Sequence, residues 1–148
     1  MPIRAWLMNN YTKKEVSIAM RDGIKLFTSI YIPKDMSERH PILLTRTPYS
    51  VWPYGTGFRA YWRSYMMRYC KENYILVNQD VRGKYMSEGS FEVVRPFNPD
   101  KKTSADIDEA SDSYDTIDWL IKNIDNNNGN VGAIGISFPG FLCNHGCA

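Results

Sequence analysis

The sequence contains no long run of apolar residues. A helix needs about 20 consecutive apolar residues to cross a bilayer, and no stretch approaches that length. Residues 1–10 also lack the apolar core of a secretory signal. We therefore expect no membrane partner and a cytoplasmic location by default, with a periplasmic or secreted location if a leader has been lost.

An excess of one charge is missing too. The chain has 18 Lys and Arg residues against 16 Asp and Glu, a formal net charge of +2. Its basic side chains are scattered apart from the pairs at 13–14 and 101–102. Because nucleic acids are normally bound by a basic face or stripe, we expect no nucleic-acid partner.

Cysteine and histidine are scarce, with three and two residues. Cys70 lies within an apolar helical pattern, which predicts a buried thiol. Cys143 and Cys147 flank His145 near the end of the chain, but zinc sites of the common spacings need a second pair of ligands, which the sequence does not supply. We therefore expect no metal site and no cofactor.

The composition is that of one globular domain or part of one, with 43% hydrophobic and 14% aromatic residues. The chain opens with a predicted β-hairpin. Runs rich in β-branched and aromatic residues at 15–19 and 24–32 are joined by residues 20–23, whose Asp-Gly pair is a strong hairpin signal.

Strands and helices alternate after the hairpin. Apolar runs at 42–45, 74–77 and 131–134 predict buried strands of a parallel sheet. Amphipathic patterns at 58–70 and from near residue 106 predict the helices between them. This order predicts an α/β fold, with a mostly parallel sheet and an antiparallel N-terminal hairpin.

The second helix is predicted to start near Asp106. Acidic residues Asp106, Asp108 and Glu109 fall in its first turn and Lys122 in its last, as the helix dipole favours. The acidic residues could form a metal cluster, but their place at a helix start favours capping and solvation. The expected inner face consists of Ile107, Ala110, Tyr114, Ile117 and Ile121.

Residues 130–141 predict a buried strand, an abrupt turn with Ser137 at its tip, and the start of a helix. Gly135 and Gly140 leave room for the backbone to double back, so that the hydroxyl can stand exposed as a nucleophile elbow requires. The spacing G-x-S-x-x-G departs from the usual G-x-S-x-G because Pro139 takes the place of the second glycine. Proline is tolerated in the first turn of a helix, so the elbow is still predicted.

Three polar residues, Tyr49, Asp80 and Ser137, follow the carboxyl ends of predicted strands, where α/β sheets bind ligands. The backbone N–H of Phe138, at the start of the helix, would point to where an oxyanion forms. The Tyr49 hydroxyl could supply a second hydrogen bond to that oxyanion.

A base for Ser137 is not evident. A serine becomes a good nucleophile only when a base accepts its proton. His145 lies eight residues farther along the same predicted helix, about 12 Å away. His40 precedes the strand at 42–45, at the opposite end of the sheet, so we expect neither histidine to complete a triad.

Five short motifs occur in one order along the chain. They are Met20-Arg21-Asp22-Gly23, Arg46-Thr47-Pro48-Tyr49, Gln79-Asp80-Val81-Arg82-Gly83, Ser87-Glu88-Gly89 and Gly135-Ile136-Ser137-Phe138-Pro139-Gly140. With them, the chain resembles the CocE/NonD-type serine hydrolases from about residue 14 to residue 141. That family includes X-Pro dipeptidyl-peptidases, cocaine esterases, α-amino-acid ester hydrolases and cephalosporin acylases.

The resemblance implies a role for each site residue. It implies that Ser137 is the nucleophile, and that the Tyr49 hydroxyl and the Phe138 backbone N–H form the oxyanion hole. For Asp80 and Arg82 we favour a local ion pair that shapes the strand end over any catalytic role.

The family's catalytic aspartate and histidine follow the nucleophile in chain order. The resemblance therefore implies that residues 1–148 are the N-terminal part of an α/β-hydrolase catalytic domain, truncated just after the elbow and inactive alone. The expected partner is a small-molecule ester or amide or a short peptide, cleaved through an acyl-enzyme. The alternative is a non-catalytic remnant of the fold, and the oligomeric state is left open.

Overall fold

The structure, a computed structural model, describes residues 3–59, 64–93 and 95–146. Five strands form its sheet: β1 (Tyr11–Ala19), β2 (Lys25–Pro33), β3 (His40–Thr47), β4 (Ile75–Asp80) and β5 (Asn127–Ala133). Its helices are α1 (Ile3–Asn10), α2 (Ser64–Lys71), α3 (Glu109–Asn123) and α4 (Phe138–Gly146). None of these helices is long and apolar enough to span a membrane.

The strands form a single sheet in the order β1-β2-β4-β3-β5. β1 and β2 form the predicted antiparallel hairpin, and β2 runs antiparallel to β4. β3 is parallel to both of its neighbours, β4 and β5. The predicted α/β fold, with parallel strands behind an antiparallel N-terminal hairpin, is confirmed.

The central strands β3 and β4 are buried on both faces, which explains their continuous apolar runs. Successive side chains of a strand point to opposite faces. Ile42 and Leu44 of β3 therefore join one core cluster with Leu120 of α3, while Leu43 joins a second cluster on the other face with Leu7 of α1.

The second core cluster also contains the buried Cys70 of α2, as predicted. The described part of α2 begins at Ser64, whereas the sequence pattern predicted a helix from residue 58. Phe58 and Arg59 lie before the helix, and residues 60–63 of the predicted helix fall outside the described residues.

α3 begins at Glu109 rather than near Asp106. Asp108 caps it, because its carboxylate accepts a hydrogen bond from the Ser111 backbone N–H at 2.7 Å. The Ser111 hydroxyl in turn accepts one from the Asp108 N–H at 2.8 Å, which completes a capping box. The predicted capping role is confirmed for Asp108, but Glu109 is buried rather than solvated.

The predicted inner face of α3 is wrong at two positions. Tyr114 and Ile121 are 66% and 40% exposed, whereas Asp112, Ser113 and Thr116 are buried. The helix is rotated from the orientation that apolar periodicity indicates, so its buried stripe is largely polar.

A hydrogen-bonded network explains this orientation. The Arg46 guanidinium of β3 donates to the Glu109 carboxylate and to the Ser113 hydroxyl, both at 2.9 Å, and to the Gln79 side-chain oxygen at 2.9 Å. The Gln79 amide donates to the Thr116 hydroxyl at 2.9 Å. Because buried polar groups need partners, these strand residues attract the polar side of α3.

Candidate active site

Ser137 lies in the turn between the carboxyl end of β5 and the first residue of α4. Its side chain is exposed, and its backbone has a φ of +62°. A non-glycine residue in this left-handed region is uncommon and costs energy, and such residues cluster at functional sites. A nucleophile elbow holds its serine in a turn of this kind.

Two glycines allow the turn, as the sequence predicts. A Cβ on Gly135 would lie 2.2 Å from the carbonyl carbon of Pro139 and 2.5 Å from the nitrogen of Gly140. A Cβ on Gly140 would lie 3.0 Å from the Gly135 oxygen. The backbone doubles back so closely that no side chain fits at Gly135, and Pro139 sits in the first turn of α4.

The N-terminus of α4 follows Ser137 directly. The Ser137 carbonyl accepts a hydrogen bond from the Phe141 N–H at 3.0 Å, so Ser137 occupies the N-cap position and Phe138 is the first helical residue. The N–H groups of a first helical turn have no acceptor within the helix. They lie at the positive end of the helix dipole, which favours a negative charge.

Tyr49 lies two residues beyond the end of β3, with its side chain 63% exposed. Its ring contacts that of Phe138 edge to face, with the centroids 6.4 Å apart and the planes at 73°. The structure thus brings Tyr49, Phe138 and Ser137 to one edge of the sheet. The contact with Phe138 places Tyr49 beside the start of α4.

The ring of Phe138 has two further aromatic neighbours. The centroids of Phe91 and Phe141 lie 6.4 and 5.7 Å from its own. Phe91 belongs to the irregular segment after β4, for which the sequence gives no helical or strand pattern. Sequence analysis missed this contact, and the Ser-Glu-Gly motif just before Phe91 is the one local signal that the segment is constrained.

Asp80 ends β4 and is completely buried. The predicted ion pair between Asp80 and Arg82 is wrong. Arg82 instead pairs with Asp22 and Asp112, each at 2.7 Å. Asp80 accepts hydrogen bonds from the backbone N–H of Val51 and the hydroxyl of Tyr54, both at 2.9 Å.

Burial shifts the pKa values of this pair. It raises the pKa of Asp80 above its usual range, and the hydrogen bonds from Tyr54 and Val51 offset part of that rise. Burial, with the hydrogen bond to the Asp80 carboxylate, raises the pKa of Tyr54 to about 12. Tyr54 is a second residue that sequence analysis missed, because nothing in the local sequence marks its hydroxyl as a partner of Asp80.

The two histidines lie away from the tip of the turn. His40 is the first residue of β3, buried, with Nε2 2.7 Å from the Asp35 carbonyl oxygen. The eight residues of β3 separate it from the carboxyl edge of the sheet by roughly 25 Å. His145 lies on α4, with Nδ1 3.0 Å from the Phe141 carbonyl oxygen and its ring 3.9 Å from the Phe141 ring.

Residues 3–59, 64–93 and 95–146 contain no group of three or more His, Cys, Asp or Glu side chains arranged to hold a metal ion. Cys143 lies on α4 and is half-buried. Cys147, the other cysteine that flanks His145, lies outside the described residues.

Comparison with known proteins identifies relatives of this chain. A family model described as X-Pro dipeptidyl-peptidase (S15 family) matches residues 22–148. The cocaine esterase of Rhodococcus sp. (strain MB1 Bresler) is 31% identical over 135 residues, which is 88% of this chain and 20% of the esterase.

Two solved structures are more similar in sequence. An aminopeptidase from the marine sediment archaeon Thaumarchaeota archaeon is 41% identical, with a TM-score of 0.77. An α-amino acid ester hydrolase is 42% identical, with a TM-score of 0.76. Each match covers 90% of this chain and 22% of the solved chain.

The chain therefore spans about a fifth of the length of these relatives. The family model, in contrast, covers most of the chain, from the hairpin turn through the serine elbow to the last residue. The chain belongs to the X-Pro dipeptidyl-peptidase (S15) family, the hydrolase family that its five sequence motifs predicted.

Proposed function

We propose that this chain supplies the nucleophile and the oxyanion hole of a serine hydrolase that cleaves esters or amides. The observation that carries the proposal is the position of Ser137. Its exposed hydroxyl stands in a left-handed turn at the N-terminus of α4, beside the carboxyl ends of parallel strands. Family membership and the similarity to an esterase, an ester hydrolase and an aminopeptidase support the same reaction class.

In the proposed reaction the Ser137 oxygen attacks the carbonyl carbon of the substrate and gives up its proton to a general base. The carbonyl oxygen becomes an oxyanion, stabilised by hydrogen bonds from the Phe138 N–H and the Tyr49 hydroxyl. Collapse of the tetrahedral intermediate expels the alcohol or amine, which takes up the proton, and leaves an acyl-enzyme on Ser137. Water then hydrolyses this ester and regenerates the serine.

The general base is proposed to come from sequence outside these 148 residues. His40 begins β3 at the far end of the sheet, and the His145 ring stacks on Phe141 farther along α4. We propose that residues 1–148 act as the N-terminal part of an α/β-hydrolase catalytic domain in a longer protein. The coverage of about a fifth of each relative supports this arrangement.

The proposed substrate is a small ester or amide or a short peptide. The relatives include an esterase, an α-amino acid ester hydrolase and an aminopeptidase, and the family is described as X-Pro dipeptidyl-peptidase. Acyl esters, β-lactam side chains and X-Pro peptides all fit this chemistry, and groups outside this chain would choose among them.

A fluorophosphonate probe tests the proposal, because it reacts with an activated serine and not with an ordinary hydroxyl. In the complete natural protein that carries this segment, we expect labelling at Ser137 and hydrolysis of an activated ester. Ser137→Ala should abolish both while leaving the thermal unfolding midpoint nearly unchanged. Ser104→Ala, at an exposed serine of the long loop before α3, is the matched control and should change neither.

A folded Ser137→Ala protein that hydrolyses the ester at the rate of the parent would refute the assignment of the nucleophile. A folded parent that neither labels nor turns over ester and peptide substrates would support the non-catalytic alternative.

A further inference from the structure

The side chain of Tyr49 is weakly restrained by its own contacts. It is 63% exposed, and its ring contacts that of Phe138 edge to face. An oxyanion donor must hold its hydroxyl within about 2.7–3.1 Å of the position of the developing charge. The backbone of the loop after β3 must therefore hold Tyr49 in place.

The next residue in that loop, Ser50, has an unusual backbone conformation with a φ of +75°. Its hydroxyl oxygen accepts a hydrogen bond from the Trp52 N–H at 3.1 Å and lies 2.9 Å from the hydroxyl of Tyr54. Tyr54 donates its single proton to Asp80, so Ser50 donates to Tyr54. A chain of hydrogen bonds thus runs from the residue beside Tyr49 to Asp80.

Asp80 also holds the loop at a second point, through the backbone N–H of Val51 at 2.9 Å. Among the residues that the structure describes, no Lys, Arg or His nitrogen lies within ion-pair distance of its carboxylate. A buried carboxylate without a cation is costly and persists only where hydrogen-bond donors satisfy it. Here the two closest donors both belong to the loop that follows Tyr49.

We propose that Asp80 is a positioning residue for the oxyanion hole: through Val51, Tyr54 and Ser50 it fixes the loop that presents the Tyr49 hydroxyl. The inference rests on the proposed role of Tyr49 in catalysis. Asp80 suits this task because it ends β4, a strand with neighbours on both sides, and a rigid element positions a site more accurately than a loop does.

Asp80 would act through Tyr49 and would not touch the substrate. If the role of Asp80 were purely structural, Asp80 would stabilise the fold, and its effect on kcat would not depend on the Tyr49 hydroxyl. A double-mutant cycle separates the two roles, because residues that act as a unit have strongly non-additive effects and independent residues have additive ones.

The experiment measures kcat and KM for an activated ester in the complete natural protein, with Tyr49→Phe, Asp80→Asn and the double variant. We expect Tyr49→Phe to lower kcat about a hundredfold, and Asp80→Asn about tenfold with KM changed less than about twofold. In the Tyr49→Phe background, Asp80→Asn should lower kcat by less than about twofold further.

A double variant about a thousandfold below the parent, the product of the single effects, would overturn the positioning role while leaving the proposed function intact. An Asp80→Asn protein that is folded and as active as the parent would do the same. Full activity of Tyr49→Phe would overturn both this inference and the assignment of the oxyanion donor. Full activity of Ser137→Ala would identify failure of the proposed function itself.

Tyr54→Phe covers the case in which Asp80→Asn fails to fold. It keeps the ring and the carboxylate but removes the hydroxyl that joins Ser50 to Asp80. It should lower kcat severalfold alone and not at all in the Tyr49→Phe background, and additive losses would overturn the inference. Asp22→Asn is the control, because Asp22 lies in the β1–β2 turn and its carboxylate pairs with Arg82. This variant should lower the unfolding midpoint and leave kcat unchanged.

Discussion

Gly135 is the residue on which the shape of the elbow depends most directly. An alanine Cβ there would overlap the backbone of Pro139 at 2.2 Å, so the turn would have to open. We expect Gly135→Ala to lower the free energy of unfolding by roughly 2–3 kcal/mol, in the range of overpacked sites. Fluorophosphonate labelling of Ser137 should be lost in the fraction that still folds, as measured by urea unfolding and mass spectrometry.

Gly132→Ala is the matched control for that substitution. Gly132 lies in β5, where a Cβ would meet only Leu43 at an ordinary 3.7 Å. We expect this variant to fold and to label like the parent protein. Equal effects of the two substitutions would show that the elbow does not depend on the close approach at Gly135.

Tyr49 carries a second prediction at this scale. In the complete protein, Tyr49→Phe should lower kcat by on the order of a hundredfold, the usual effect of losing one oxyanion donor, and should change KM much less. Steady-state kinetics with an activated ester provide the measurement. If KM rises and kcat does not fall, Tyr49 lines the substrate pocket and does not bind the oxyanion.

Single residues could be predicted from the sequence where their environment is local. The roles of Gly135, Gly140 and Pro139 follow from neighbours a few positions away, and the structure confirms the tight turn they form. The Asp80–Arg82 pair was predicted wrongly because both residues find their partners far along the chain. A local motif shows that such residues are constrained, but it does not show which distant residues they contact.

At the scale of secondary-structure elements, α3 depends on its cap. Asp108→Ala removes the acceptor for the Ser111 N–H and should lower the free energy of unfolding by about 1–2 kcal/mol. Urea unfolding of the two proteins at neutral pH measures the difference. Asp118→Ala on the same helix removes an exposed pair with Lys122 and should have little effect, since such pairs contribute little. Equal losses from both substitutions would contradict the capping role.

The same cap predicts a pH dependence. Burial raises the pKa of Asp108, but hydrogen bonds from Asn98, Lys101 and Ser111 outweigh it, so the folded pKa lies below the usual value. A carboxylate with a lowered folded pKa stabilises the fold fully above its unfolded pKa of about 4 and loses that contribution as the pH falls through the folded pKa. The stability difference between the parent and Asp108→Ala should therefore shrink below about pH 4.

Measuring the two proteins at pH 7 and at the lowest pH where the parent still folds tests this dependence. A difference that stays constant over the range would show that Asp108 does not act through its charge.

The orientation of α3 shows where sequence patterns fail at this scale. Apolar spacing placed Tyr114 and Ile121 inside, yet the sheet beneath the helix presents the polar side chains of Arg46 and Gln79. A helix that packs on polar groups must turn its own polar side inward. The apolar periodicity of the helix cannot predict this, because it contains no information about the surface that the helix packs on. The central strands were predicted well because the runs at 42–44 of β3 and 75–77 of β4 are apolar and buried whichever face each residue points to. The strand at 131–134 was predicted to be buried, but most of β5 is exposed.

At the scale of the whole molecule, β5 is an edge strand of the sheet that the described residues form. It pairs with β3 on one side, and most of its residues are exposed. An open parallel edge presents unpaired N–H and C=O groups and favours association. We expect residues 1–148 expressed alone to elute as oligomers or aggregates in gel filtration and to hydrolyse no ester, since neither histidine is placed to serve Ser137.

A soluble monomer that unfolds cooperatively and has turnover that Ser137→Ala removes would contradict both parts of this prediction. Gel filtration at several protein concentrations, with ester hydrolysis measured in each fraction, distinguishes the outcomes.

The strand order also fixes when the sheet can assemble during synthesis. β3 is flanked by β4 and β5, both of which leave the ribosome later, whereas β1 and β2 can pair at once. At about 5–20 residues per second, the span from Thr47 to Asn127 takes on the order of ten seconds to translate. Throughout that interval the nascent chain carries an apolar strand with at least one side unpaired, so its yield in a cell should depend on chaperones that bind such segments.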